Sequence, residues 1–169
     1  MRPNLFIVLF ALLAAGCAAP KSIDPPPVAH PARLFPAEAF VTQRAVLTVH
    51  GRQFTLNGYV AKSETRGLRL IVTENFGGVL ADVLVKPDGK IIVLKAGPPF
   101  RPAWVERYIA ADLESIFDDH AKTDGSLRML SDTHFVIERG GYELDLRTVD
   151  VKPGPQPAEM FEVAGGGRP

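Results

Sequence analysis

Short segments in which apolar and polar residues alternate recur along the chain between residues 37 and 151. The alternating segments are 53–60, 68–73, 79–85, 135–137 and 142–146, and the apolar segment 91–94 continues the series. A period of two places successive side chains on opposite faces of a strand. Asp88-Gly89 and Gly140-Gly141 lie between such segments and are typical of tight hairpin turns. The pattern therefore predicts consecutive short strands in an antiparallel sheet.

One longer segment follows a different period. After Pro102, apolar residues recur at helical spacing between Val105 and Phe117, while charged residues such as Glu106, Asp112 and Asp118 occupy much of the remaining surface. Proline is well suited to the first turn of a helix. We therefore expect about five strands, one amphipathic helix, and then two or three strands. The predicted class is mainly β with one major α-helix (α+β).

Several strands carry apolar residues on both faces. Leu80 and Leu84, for example, alternate with Val79 and Val83. A sheet with one solvated face does not require this composition. Either a second layer covers the outer face, or the sheet curves around an apolar interior that the helix only partly fills. The expected architecture is a curved antiparallel sheet, or half-barrel, covered by an amphipathic helix.

The N-terminal segment has the layout of a bacterial export signal. Arg2 precedes an unbroken apolar run over residues 5–13, which is shorter than the roughly 20 residues that a spanning helix requires. Small residues then lead to Cys17, and Leu13-Ala14-Ala15-Gly16-Cys17 resembles the lipobox of bacterial lipoproteins. The resemblance implies a signal peptide over residues 1–16 and a lipid attached to Cys17. The alternative is an ordinary signal peptide or short anchor with an incidental cysteine.

Cys17 is the only cysteine in the chain, so it has no disulfide partner and no second thiolate for a metal site. Ala18 and Ala19 follow it, whereas an aspartate retains many bacterial lipoproteins in the inner membrane. The lipoprotein resemblance therefore implies attachment to the periplasmic face of the outer membrane. The membrane would be a partner through the N-terminal lipid.

Proline-rich segments flank the alternating region. Residues 17–36 are predicted to form an extended tether, because polyproline II rises about 3.1 Å per residue. Residues 152–169 combine several prolines with Gly165-Gly166-Gly167 and are predicted to form a disordered tail. The half-barrel-like domain is therefore assigned to residues 37–151, a length typical of one core.

Composition and motifs argue against several functional classes. Nineteen basic residues balance nineteen acidic ones without a basic stripe, so nucleic acid is not an expected partner. Neither G-x-S-x-G nor H-E-x-x-H occurs. Asp118-Asp119-His120 is interpreted as a solvated helix end rather than a metal site, and Ser131-Asp132-Thr133-His134 as a turn into a strand rather than a catalytic triad. We expect no enzymatic activity, catalytic residue, metal or cofactor.

The arrangement resembles the LolA/LolB-like group of periplasmic lipoprotein carriers and outer-membrane receptors, and a related family of outer-membrane lipoproteins of unknown function. The residues that carry the resemblance are Phe54–Val60, Leu68–Val72, Gly77–Leu80 and the helix from Pro102 to Phe117. It implies an antiparallel half-barrel around a lipid-sized apolar cavity. The implied function is non-covalent binding or transfer of a lipid, acyl chain or lipoprotein.

The candidate ligand-cavity residues are Leu56, Leu70, Val72, Phe76, Val83, Leu94, Trp104, Ile109, Leu113 and Phe117. Most are apolar residues of the alternating strands or of the apolar helix face, and Phe76 stands beside Gly77-Gly78 in a turn. A second hypothesis is an anchored interaction or scaffold module of an envelope assembly, with a filled core and a protein partner. A hydrolase whose site is not apparent from the sequence is a third.

Overall fold

A computed structural model describes residues 30–121 and 125–163. Residues 1–16, Cys17 and most of the predicted tether lie outside this part of the chain. The strands are β1 (Ala39–Val49), β2 (Arg52–Ser63), β3 (Gly67–Glu74), β4 (Val79–Val85), β5 (Ile91–Ala96), β6 (Leu127–Ser131), β7 (His134–Arg139) and β8 (Tyr142–Pro153). They form one sheet in the order β5-β4-β3-β2-β1-β8-β7-β6.

Every strand pairing in this sheet is antiparallel, and β1 lies between β2 and β8. The two-residue turn at Gly140-Gly141 joins β7 to β8, because Arg139 pairs directly with Tyr142. Within the described residues, five strands precede the helix and three follow it, which agrees with the expected numbers, although β1 and β6 lie outside the segments identified from the sequence pattern. The predicted mainly β fold, with an antiparallel sheet and one major helix, is confirmed.

The helix, named α1 here, covers residues 102–117 in three consecutive parts. Pro102–Trp104 is an α-helical turn, Val105–Ile109 is a π-helical turn, and Ala110–Phe117 is regular α-helix. Proline is tolerated in the first turn because the first amide groups of a helix have no intrahelical acceptor, so its missing N–H costs nothing there. Within the described residues, no helix is long and apolar enough to cross a membrane.

The main core lies between α1 and the helix-facing side of the sheet. Val105, Leu113, Ile116 and Phe117 are buried there. The Trp104 ring lies 5.5 Å from that of Phe100, just after β5, and 5.3 Å from that of Tyr142 on β8. In a flat sheet, five strand spacings of about 4.8 Å would separate β5 from β8. Trp104 on α1 nevertheless contacts residues at or next to both β5 and β8, which is consistent with a curved sheet.

The C-terminal segment covers part of the outer face, and the prediction of a disordered tail from Lys152 is wrong for residues 152–163. Strand β8 continues to Pro153, and a 3₁₀ turn follows at Ala158–Phe161. The Phe161 ring packs on Ala61 and Leu84. Arg69 Nη1 donates to the Met160 carbonyl at 2.7 Å. Proline-rich sequence is ordered here because one aromatic side chain fills an apolar site on the sheet.

The end of the predicted tether also belongs to the folded domain. Pro31–Leu34 forms a 3₁₀ turn, and Phe35 is 5% exposed in the main core, with its ring 4.6 Å from that of Phe117. Lys62 Nζ donates to the carbonyls of Ala32 and Phe35 at 3.4 Å. The tether prediction is therefore wrong for residues 31–35, and the domain begins before residue 37. Residues 164–169 lie outside the described part of the chain.

Candidate ligand-binding cavity

A cavity of about 70 Å³ lies between α1 and strands β1, β2, β3 and β8. Its wall is almost wholly apolar. Leu56 and Leu70 supply the sheet side, Leu113 the helix side, and the rings of Trp104 and Tyr142 one end. An apolar cavity without several polar partners for water remains dry and accepts apolar guests. The site is therefore suited to a hydrocarbon group.

The absence of a side chain at Gly58, in the middle of one row across the sheet, contributes to this space. The strand register places Gln43 beside Gly58, Gly58 beside Val72, Val72 beside Ala81, and Ala81 beside Ala96. Gly58 has no side chain to fill the volume beneath α1. A β-carbon built at Gly58 would lie 3.7 Å from both Gln43 Cβ and Leu70 Cδ1, which is ordinary contact. The cavity therefore exists where one strand position lacks a side chain.

Seven of the predicted cavity residues line this one space. They are Leu56, Leu70, Val72, Trp104, Ile109, Leu113 and Phe117. Three of them belong to β2 and β3, and four belong to α1. The alternation of the strands therefore identified residues on the sheet side of the cavity, and the helical spacing identified residues on the helix side.

The remaining three candidates, Phe76, Val83 and Leu94, lie elsewhere. Phe76 is 98% exposed at the β3–β4 turn, so it contributes nothing to the cavity wall. Val83 is fully buried in the main core without reaching the cavity. Leu94 is half-buried where the pairing of β4 with β5 shifts register, so its side chain is displaced from the row that strict alternation predicts.

Gln43 is a polar cavity residue that the sequence analysis missed. It is 3% exposed, lines the cavity, and its Nε2 has no hydrogen-bond partner among the described residues. A register shift in the pairing of β1 with β8 falls between Thr42 and Gln43. An unpaired buried amide costs roughly 1–3 kcal/mol. The available signal was the alternation of Val41, Gln43 and Ala45, which lies outside the alternating segments used for the prediction.

A buried ionic cluster joins α1 to the β7–β8 hairpin at the cavity edge. Asp112 Oδ1 accepts a hydrogen bond from Arg139 Nε at 2.8 Å, and Oδ2 accepts one from the Tyr142 hydroxyl at 2.5 Å. Burial and the neighbouring Asp112 carboxylate raise the pKa of Tyr142, so its hydroxyl remains a donor. The expectation that Asp112 lies on the solvent face is wrong. Asp112 follows the buried Val105 by seven residues, or about two helical turns, so the two lie on the same face of the helix. This spacing could have predicted that Asp112 is buried.

The two polar motifs weighed from sequence do not adjoin the cavity. Asp119 and His120 are exposed just beyond the end of α1. Ser131 pairs with His134 across the β6–β7 turn, which confirms the interpretation as a turn into a strand. No group of three or more histidine, cysteine or acidic residues in the described ranges is arranged to hold a metal ion.

Compared with known proteins, the chain matches no family model, and no curated protein is significantly similar to it. The resemblance to lipoprotein carriers and receptors therefore stays a hypothesis. The cavity itself offers apolar contact to a guest from the sheet and from the helix.

Proposed function

We propose that this protein is an outer-membrane-anchored lipoprotein whose domain binds or transfers a lipid, acyl chain or lipoprotein without covalent chemistry. The observation that carries the proposal is the apolar cavity beneath α1. Its lining residues come from four strands and the helix, so the space is part of the core rather than a surface irregularity.

Hydrocarbon burial supplies the driving force. Each methylene removed from water contributes about 0.8 kcal/mol before the entropic cost of association is subtracted. An apolar cavity of about 150 Å³ binds benzene, and the present cavity is about 70 Å³. A longer chain therefore requires α1 to move outward. Such movement breaks no strand pairing, because β1, β2, β3 and β8 pair with one another and not with the helix.

The small volume also favours a second candidate, an anchored interaction or scaffold module with a filled core. Phe76, exposed at the β3–β4 turn, would then be available to an envelope protein partner. The two functions differ in one measurable property, which is whether an acyl chain enters beneath α1.

Bromine quenching distinguishes them, because Trp104 is the only tryptophan in the chain and lines the cavity. Dibromostearate should quench Trp104 fluorescence saturably, and unbrominated stearate should reverse the effect. Gly58→Val should weaken binding about tenfold, since its two methyl groups beyond the β-carbon occupy the volume of about two methylenes. Equilibrium titration of the chain without residues 1–17 measures both quantities.

Gly58→Ala is the matched control. Its added methyl group meets neighbours at ordinary contact distance, so binding should remain close to that of the unchanged protein. Absence of saturable quenching in the unchanged protein would reject acyl binding and favour the interaction module.

The anchor is tested separately. Cys17→Ser should leave an uncleaved or soluble product, because attachment of the diacylglyceryl group requires the thiol. Fractionation of membranes, with mass spectrometry of the N-terminus, gives the result. If the variant remains wholly in the outer-membrane fraction, the lipoprotein assignment is incorrect.

A further inference from the structure

A second cavity, of about 660 Å³, adjoins the one beneath α1. Leu47, Phe100 and Trp104 line both spaces, so the two meet at these side chains. The second cavity lies between the β1–β2 turn and the loop from β5 to α1. We call this second cavity the mouth.

The ionisable side chains that line the mouth all belong to basic residue types. They are His50, Arg52 and Arg101. Arg52 has the same strand parity as Phe54 and Leu56, so it lies on the helix-facing side of the sheet, where these two neighbours in the row are apolar. The described residues provide no hydrogen-bonding or ion-pair partner for the side chains of Arg52 and Arg101.

The groove at the opposite end of the core is lined by both acidic and basic side chains. It is about 590 Å³ and contains carboxylates, among them Glu64, Asp118 and Asp119, beside Arg33 and Lys62. Opposite charges there can balance each other, whereas the mouth has a net positive charge. The two ends of the core therefore favour different ligand groups.

We infer that the ligand is an anionic single-chain amphiphile, with its hydrocarbon tail beneath α1 and its carboxylate or phosphate at Arg52 and Arg101. This inference depends on the proposed acyl-binding function. Guanidinium groups bind carboxylate and phosphate through paired hydrogen bonds with matching geometry. Phe54 and Trp104 beside these cations provide an apolar path from the charged group to the cavity.

Head-group preference is the measurement that tests it. Dodecyl phosphate and laurate should each bind about tenfold more tightly than dodecyltrimethylammonium, because only anionic groups form charge-assisted hydrogen bonds with arginine. Inorganic phosphate, which lacks the tail, should not displace dodecyl phosphate at equal concentration. Calorimetric titration of the chain without residues 1–17 provides the dissociation constants.

The double variant Arg52→Gln/Arg101→Gln should abolish the preference while leaving dodecyltrimethylammonium binding no weaker. Arg44→Gln/Arg147→Gln is the matched control, because these exposed arginines are cross-strand partners outside the mouth. The control should retain the full preference. Equal binding of all three amphiphiles would overturn the inference and leave the proposed function intact, whereas no binding of any would reject the proposed function itself.

Discussion

Phe35→Ala is expected to destabilise the domain by about 3–5 kcal/mol, the usual cost of removing a buried phenyl ring. Phe35 precedes the first strand, yet its ring lies 4.6 Å from that of Phe117 and 6.3 Å from that of Phe135. Its removal would leave a void between the end of α1 and β7. Urea unfolding of the chain without residues 1–17 should show the loss, and thermal unfolding a fall in Tm on the order of 10 °C.

Phe76→Ala is the matched control, since it removes the same ring from a side chain that is 98% exposed. Its effect should stay within about 0.5 kcal/mol. Equal stability of the two variants would mean that the segment before β1 does not pack in solution.

Local sequence patterns were sufficient to locate the helix and six of the eight strands in the described residues, but not β1 and β6. Alternation at 53–60 and 79–85 and the helical spacing after Pro102 are properties of neighbouring residues, and the structure has the corresponding elements. The turn at Gly140-Gly141 could also be predicted from neighbouring residues alone, because two consecutive glycines favour a tight hairpin turn. These features required no knowledge of which strands pair.

The terminal segments were predicted incorrectly because their order depends on distant partners. Composition around Phe35 and Phe161 is rich in proline, which is typical of extended or disordered chain. Each ring nevertheless fills an apolar site formed by residues far away in sequence, Phe117 in one case and Leu84 in the other. A single aromatic residue gives no periodic signal.

The cavity was only partly predictable for a related reason. Apolar lining residues such as Leu56 and Leu113 follow from alternation and helical spacing, but the empty volume depends on register. Gly58 creates space because the pairing of β1, β2 and β3 places it between Gln43 and Val72. The basic mouth likewise requires the β1–β2 turn and the loop before α1 to meet across the fold.

Asp112→Ala is expected to cost about 3–5 kcal/mol, because it leaves the Arg139 guanidinium buried without this carboxylate. The side chain of Asp112 is 6% exposed and that of Arg139 is 18% exposed, so water can replace little of the lost interaction. The Tyr142 hydroxyl loses its acceptor as well. Urea unfolding should therefore give a loss far above that of a surface ion pair.

Glu138→Ala provides the comparison, since Glu138 pairs with Arg128 where both side chains are more than half exposed. That change should cost no more than about 1 kcal/mol. The double variant Asp112→Leu/Arg139→Met should recover much of the loss, because a buried ion pair can often be replaced by apolar residues of similar size. If Asp112→Ala costs no more than Glu138→Ala, the carboxylate does not hold α1 against the β7–β8 hairpin, and helix displacement would meet only apolar packing.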